Sequence, residues 1–269
     1  MNKELIIENA KTKFTGELLE IVLKQIDEYF LLKDSSYQIK HNYNINDKVI
    51  LNENHLLHGI GKHNDLIELF GERGITSPDF FDTNTNHAFC YTAAFWNVTG
   101  EITLQEYIEN YSGIIANVND EYWQVPYKKL DEFVEVLKEV DHWKWSAESS
   151  MEIRFMPSLA KDINQIGFIV NTENKLCKQL RKNSVFKEPF NQEYAYEFVS
   201  GKAKEKFLKD GFIDDFFLRA DYIIFGLPKN TIEGILVGRV VEHNQEHINR
   251  LKNLFPNCYI CNLDGIVIA

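Results

Sequence analysis

Apolar positions recur along this chain at two spacings, one typical of helices and the other typical of strands. Residues 15–33 carry apolar side chains at the helical spacing, and Thr15 stands where an N-cap is expected. The same spacing predicts further helices over residues 63–75, 130–140, 193–210 and 240–255. Short apolar runs, some of which end at Gly or Pro, predict strands at residues 55–58, 87–96, 166–170, 221–227, 233–238 and 258–269.

These elements follow one another without a regular strand–helix alternation. The pattern therefore predicts an α+β fold and not a parallel α/β sheet. The chain has no Pro/Gly/Ser-rich linker, internal repeat or low-complexity tract, which favours one compact unit. We expect residues 1–49 to form a helical segment that packs on a core built from residues 50–269.

Composition narrows the class of protein without naming it. The 269 residues carry a net charge of -11, which argues against broad nucleic-acid or membrane binding because such surfaces need clustered Lys and Arg. The four cysteines do not form a disulfide-dense framework, and no secretory signal or membrane-spanning apolar run stands out. We therefore expect a cytoplasmic protein, acting where it is made or after delivery to a target cell.

Three histidines lie close together in the stretch ENHLLHGIGKHN, at positions 55, 58 and 63. Their number suggests a metal site, but their spacing opposes one. Side chains three apart on a strand point to opposite faces, and His63 falls beyond a turn. We expect only His58 to have a specific role, because Gly59 follows it, and we take His55 to be a bystander.

A second group of metal-binding residue types lies near the C-terminus, where His243 and His247 precede Cys258 and Cys261. Two His and two Cys can hold zinc in tetrahedral geometry. The cysteines, however, lie three apart in a strand-like run without a tight turn between them. We therefore predict no metal site.

Cys90 raises the alternative of a Cys-His hydrolase, with His58 or His87 as its base. A cysteine in an apolar run such as AFCYT is more often an inert core residue. Sequence signatures of P-loop, dinucleotide-binding and serine-hydrolase sites are absent from the chain.

Three segments, taken in order, carry a resemblance to a known family. They are Leu56–Gly59, then Phe89–Ala94 after a helix and a Gly-Ile turn, and finally Thr231–Val237. This order resembles the His-Tyr-Glu class of the ADP-ribosyltransferase superfamily, which includes diphtheria-type toxins and poly-ADP-ribose polymerases. The resemblance covers roughly residues 50–269 and implies a mixed, mainly antiparallel split sheet with flanking helices.

The resemblance also implies roles for four residues in binding and cleaving NAD. His58 would bond the adenosine-side ribose, Gly59 the nicotinamide carboxamide, and Tyr91 would stack on the nicotinamide ring. Glu233 would stabilise the oxocarbenium-like state formed when the N-glycosidic bond breaks. Apart from the resemblance, Arg154 follows a possible strand in the stretch MEIRFMP and could meet the NAD phosphates as a bidentate cation.

Two positions depart from the family pattern. Ile60 stands where Thr or Ser often follows His-Gly, and Thr231 stands two before Glu233, where transferases that modify proteins often carry Glu or Gln. The type of acceptor is therefore open between protein and nucleic acid.

The resemblance implies a mono-ADP-ribosyltransferase that moves ADP-ribose from NAD to a macromolecule and releases nicotinamide. Such a protein would act as a bacterial toxin, effector or phage-defence protein, and an antitoxin is a possible partner. The alternative is a non-enzymatic binding or neutralising module on an α+β scaffold.

Overall fold

A computed structural model describes residues 1–59, 67–77, 80, 92–111, 113–118, 121–126, 152–156, 166–182 and 220–269. The helices predicted over residues 130–140 and 193–210 lie outside these ranges. So do Tyr91, Cys90, His87 and His63.

The described helices are α1 (Lys3–Lys13), α2 (Gly16–Lys33), α3 (Ile67–Arg73), α4 (Leu104–Tyr111), α5 (Lys175–Lys182), α6 (Arg239–Glu242) and α7 (Gln245–Leu254). A 3-10 turn spans Lys229–Thr231. Among the described residues, no helix has the length and apolar character needed to cross a membrane.

The described strands are β1 (Ile50–Leu51), β2 (His55–Gly59), β3 (Ile75–Thr76), β4 (Thr92–Asn97), β5 (Ile102–Thr103), β6 (Gly113–Val118), β7 (Glu121–Pro126), β8 (Glu152–Met156), β9 (Ile166–Asn171), β10 (Ala220–Ile224), β11 (Gly226–Leu227), β12 (Ile232–Val237) and β13 (Tyr259–Cys261). Six of them form the largest sheet, in the order β10-β4-β2-β9-β12-β13. Its neighbours are antiparallel except for the parallel pair β12–β13. A second sheet has the order β7-β6-β8, and β1–β5 and β3–β11 form two-stranded pairs. The predicted α+β class is thus confirmed.

Local chemistry explains where several elements begin and end. Thr15 takes the predicted N-cap position of α2, with an extended backbone. The helix predicted over residues 240–255 is instead two helices, because the Asn244 side chain accepts hydrogen bonds from the backbone N–H groups of Glu246 and His247 and so starts α7. Gly74 ends α3 at φ +70, where any side chain would also overlap the Leu227–Lys229 backbone.

The six-stranded sheet is buried on both sides, and alternation along its strands defines two faces. Leu56, Phe168 and Ile235 belong to the apolar cluster that also contains the buried side chains of α1 and α2; we call this side the α2 face. Leu57, Ile169 and Leu236 belong to the cluster that contains Leu104 and Tyr107 of α4; we call this side the α4 face. Residues three apart on a strand therefore lie on different faces.

The N-terminal helices share the core of the sheet. Ile6 and Ala10 of α1 and Val22, Ile26 and Tyr29 of α2 are buried in the cluster on the α2 face. The Gln25 side chain donates a hydrogen bond to the carbonyl oxygen of Leu180 in α5, at 2.8 Å. These helices consequently cover one side of the sheet that carries the candidate site.

Candidate functional site

Glu233 owes its position to an irregularity in β12. Ile232 pairs with Val170 and Gly234 pairs with Ile169, so Glu233 is an extra residue between two consecutive pairs of the ladder. An extra residue of this kind is a β-bulge, and bulges redirect side chains out of the ordinary alternation. Ile232 and Ile235 stay on the α2 face, whereas Glu233 belongs to neither apolar cluster.

The partner of Glu233 is His55, the first residue of β2. His55 Nε2 lies 3.0 Å from Glu233 Oε2. The two side chains come from strands that flank β9 on either side, and Asn171 at the end of β9 lies between them. Asn171 Nδ2 donates a longer hydrogen bond to the same Oε2 atom, at 3.4 Å. The register of β2 and β9 places His55 directly opposite Asn171 in the ladder, and this brings both side chains to the same carboxylate oxygen.

All three side chains are buried: His55 and Glu233 are 6% exposed and Asn171 is 7% exposed. A buried carboxylate is costly unless it is paired and hydrogen-bonded. His55 and Asn171 meet that need at Oε2. Oε1 of Glu233 accepts no hydrogen bond from the part of the chain that the structure describes. One oxygen is thus held in place, and the other has capacity to accept a bond from a ligand.

The other ring nitrogen of His55 indicates how the imidazole is protonated. The backbone N–H of Asn52 donates to His55 Nδ1 at 2.9 Å, which assigns the proton of a neutral ring to Nε2, facing Glu233. Asn52 Oδ1 also lies 3.0 Å from Nδ1 and accepts from the backbone N–H of Asn54. A protonated ring could instead donate from Nδ1 to this oxygen. Asn52 therefore orients the ring in either state.

The hydroxyls of Tyr37 and Tyr259 experience the negative charge of Glu233. Burial raises the pKa of Tyr37 to about 12, with Cys177, Glu173 and Glu233 adding to the effect. Burial also raises the pKa of Tyr259, and Cys261 and Glu233 contribute in the same direction. These tyrosines consequently stay neutral. Among the described residues, neither hydroxyl has a hydrogen-bond partner although both are buried.

The other residues proposed from the sequence lie elsewhere on β2 or outside the described chain. His58 is on the α2 face, with its ring centroid 5.7 Å from that of Phe95 and 6.0 Å from that of Phe70. Gly59 ends β2 opposite Gly167 of β9. Tyr91 lies outside the described residues. His58 thus lies on the α2 face, three residues along β2 from His55, and His55 is the residue of β2 that contacts Glu233.

Arg154 lies in β8 of the three-stranded sheet, where its backbone pairs with Ile115 of β6. The backbones of β8 and β2 approach each other. The strand that carries Arg154 therefore runs near the strand that carries His58 and Gly59.

The cysteines near the C-terminus face opposite sides of the sheet. Cys258 packs against the cluster on the α2 face, whereas Cys261 belongs to the cluster on the α4 face. Each thiol donates to a backbone oxygen of β12, Cys258 to Ile232 and Cys261 to Ile235. Burial raises the pKa of the Cys258 thiol to about 12. In the described part of the chain, no group of three or more His, Cys, Asp or Glu side chains is arranged to hold a metal ion.

Sequence reasoning missed His55 as a functional candidate. Alternation along the strand correctly placed His55 and His58 on opposite faces. The sequence then favoured His58 for the ligand-binding role, because Gly59 follows it. The useful signal would have been the pairing of β2 and β12 with the same strand, β9, since that pairing brings His55 and Glu233 to the same end of the sheet.

Comparisons with known proteins identified no relative of this chain. No protein-family model matches the chain, and no curated protein or solved structure matches it significantly. The functional argument therefore depends on the site itself.

Proposed function

We propose that the protein is a mono-ADP-ribosyltransferase in which Glu233 acts on the N-glycosidic bond of NAD. The reaction transfers ADP-ribose to a macromolecular acceptor and releases nicotinamide. One observation carries the proposal: a buried glutamate at the start of β12 has Oε2 held by His55 and Asn171, while Oε1 has no hydrogen bond within the described chain. The order of the three sequence segments supports the same reading.

The chemistry assigns Glu233 a defined task. Breaking the bond between ribose and nicotinamide builds positive charge on the ribose ring, as in glycoside hydrolysis. A carboxylate fixed beside that ring stabilises the charge more effectively in a site shielded from water than in solution. Because Oε2 is held by two donors, Oε1 can face the ribose carbon or accept a hydrogen bond from a ribose hydroxyl.

His55 and Asn171 act in this proposal as positioning residues. Both fix one carboxylate oxygen, and His55 is itself oriented by the backbone N–H of Asn52. Reactive geometry must be held to a fraction of an ångström, so the loss of a positioning residue lowers the rate without removing the reacting group.

His58, Gly59 and Tyr91 remain candidates for the NAD contacts that the family resemblance implies, and Arg154 remains a candidate for a contact with the NAD phosphates. His58 and Gly59 lie on β2 and Arg154 lies on the nearby β8, so a dinucleotide that contacts them would approach from this part of the sheet. An ADP-ribosyltransferase-like arrangement of the whole domain belongs to the same proposal.

The test uses the intact protein, NAD labelled in its adenosine half, and a bacterial lysate as the source of acceptors. We expect label to enter protein or nucleic acid and free nicotinamide to accumulate. Replacing Glu233 with Gln keeps the shape of the side chain and removes its charge. We expect this variant to lose at least about a hundredfold of the rate, a typical loss for an electrostatic group in a transition state.

Glu246→Gln is the matched control, because Glu246 is exposed on α7 and the substitution makes the same change of charge. We expect it to behave as the parent. If the parent releases no nicotinamide and transfers no label, or if Glu233→Gln matches the parent, the transferase proposal fails and a binding module is the better description.

A further inference from the structure

A cavity of about 380 Å³ lies where α2 ends and β12 is about to begin, and neither Glu233 nor His55 is among the residues that line it. Its wall includes Lys33 from the end of α2, Lys229 from the 3-10 turn, and residues 255–258 between α7 and β13. Sites for small molecules commonly have volumes of about 300–1,000 Å³. The cavity is therefore large enough for a small organic ligand.

The ammonium group of Lys229 is the positive charge in the cavity wall that most clearly indicates an anionic ligand. Its side chain is half-buried, and its Nζ lies 5.3 Å from the centre of the Phe255 ring. Within the described ranges, no carboxylate oxygen lies at ion-pair distance from this ammonium group. Burial lowers the pKa of Lys229, as expected for a cation that has lost part of its water. An anion brought to Nζ would offset that loss.

The acidic groups beside the cavity already have partners. Glu72 lines the cavity and forms an ion pair with the N-terminal ammonium group of Met1, with 3.1 Å between the nitrogen and Glu72 Oε1. Lys33, the second cation of the wall, lies 3.1 Å from the exposed Asp34. Exposed pairs of this kind are worth little, so Lys33 can turn to a ligand at small cost. Two lysines thus face one cavity in a chain whose net charge is -11.

The remaining wall can recognise more than charge. The amide side chains of Gln38 and Asn257 supply donors and acceptors. Pro256 supplies an exposed apolar surface, and flat rings pack well against such a surface, whereas Phe255 is buried with the Lys229 ammonium group over its ring. The combination fits a ligand with an anionic end and a planar polar end.

We propose that this cavity binds a nucleoside monophosphate, with Lys229 and Lys33 at the phosphate. Lysine carries a compact positive charge with three donors and no acceptor, which suits phosphate oxygens. Cys258 also lines the cavity. The site does not depend on the transferase proposal, because neither lysine contacts the Glu233–His55 pair.

The experiment is calorimetric titration of the intact protein with the four nucleoside monophosphates, each separately, and with inorganic phosphate and adenosine as fragments. We expect at least one monophosphate to bind more tightly than either fragment. Lys229→Gln should weaken that binding at least about tenfold, because it removes one charge-assisted contact. Lys229→Arg keeps the charge and should retain most of the affinity.

Lys178→Gln is the matched control, since Lys178 is exposed on α5 and loses the same charge. It should bind the ligand as the parent does, and so should Glu233→Gln, which separates this site from the proposed transferase reaction. The inference is overturned if none of the monophosphates binds, if inorganic phosphate binds as tightly as they do, or if Lys229→Gln and Lys178→Gln give the same affinity.

Discussion

The Glu233–His55 pair makes a quantitative prediction about stability. The perturbation is a double-mutant cycle of His55→Ala, Glu233→Ala and the combined variant. Removing His55 leaves a buried carboxylate whose described hydrogen bond is the 3.4 Å contact from Asn171. Breaking a buried ion pair or charged hydrogen bond on one side costs about 3–5 kcal/mol. We therefore expect His55→Ala to lower the free energy of unfolding by about that amount.

The combined variant should cost less than the sum of the single changes, because no charge is then left without its partner. Coupling energies between contacting residues are about 0.5–3 kcal/mol, and a charged, buried contact at 3.0 Å belongs near the upper end. We expect a coupling energy of about 2 kcal/mol. The assay is urea unfolding followed by far-ultraviolet circular dichroism, with the free energy obtained by linear extrapolation.

His58 supplies the control cycle. It lies three residues from His55 on the same strand, which is about 10 Å along the chain, and on the other face of the sheet. Residues that far apart usually act additively to within about 0.5 kcal/mol, so His58→Ala and Glu233→Ala should show almost no coupling. A coupling energy below about 0.5 kcal/mol for the His55 cycle, or equal values in the two cycles, would refute the reasoning.

Two further predictions concern packing and thiol chemistry. Gly234→Ala should lower the free energy of unfolding by about 1–3 kcal/mol or more, because the new methyl group would overlap the buried ring of Tyr259. Urea unfolding measures this change, and an unchanged urea midpoint would contradict the prediction. Burial raises the pKa of Cys177 and Cys258 to about 12 from 9.0, so the thiolate fraction at about pH 8 falls roughly a thousandfold. Iodoacetamide should therefore modify both cysteines quickly in urea and slowly in the native protein. Peptide mass spectrometry measures the two rates, and equal rates would show that the thiols are not buried.

Local patterns in the sequence were sufficient for much of the secondary structure. Apolar spacing predicted α2 with its Thr15 N-cap, and the continuous apolar run at residues 166–170 predicted the buried strand β9. These features depend on neighbours within a few residues, which a single sequence displays directly. The break between α6 and α7 at Asn244 was missed because the apolar spacing continues through it, although the capping side chain was visible in the sequence.

The candidate site depends on contacts between distant parts of the chain, and only the tertiary structure decided it. Glu233 could be proposed from its place before an apolar run, but its bulge in β12 follows from pairing with β9. His55 and Glu233 are 178 positions apart and meet because β2 and β12 flank the same strand. The sequence by itself determined which residue types are present, and its alternation placed His55 and His58 on opposite sides of β2. Strand order and register, which arise from packing the whole core, determined that His55 is the partner of Glu233.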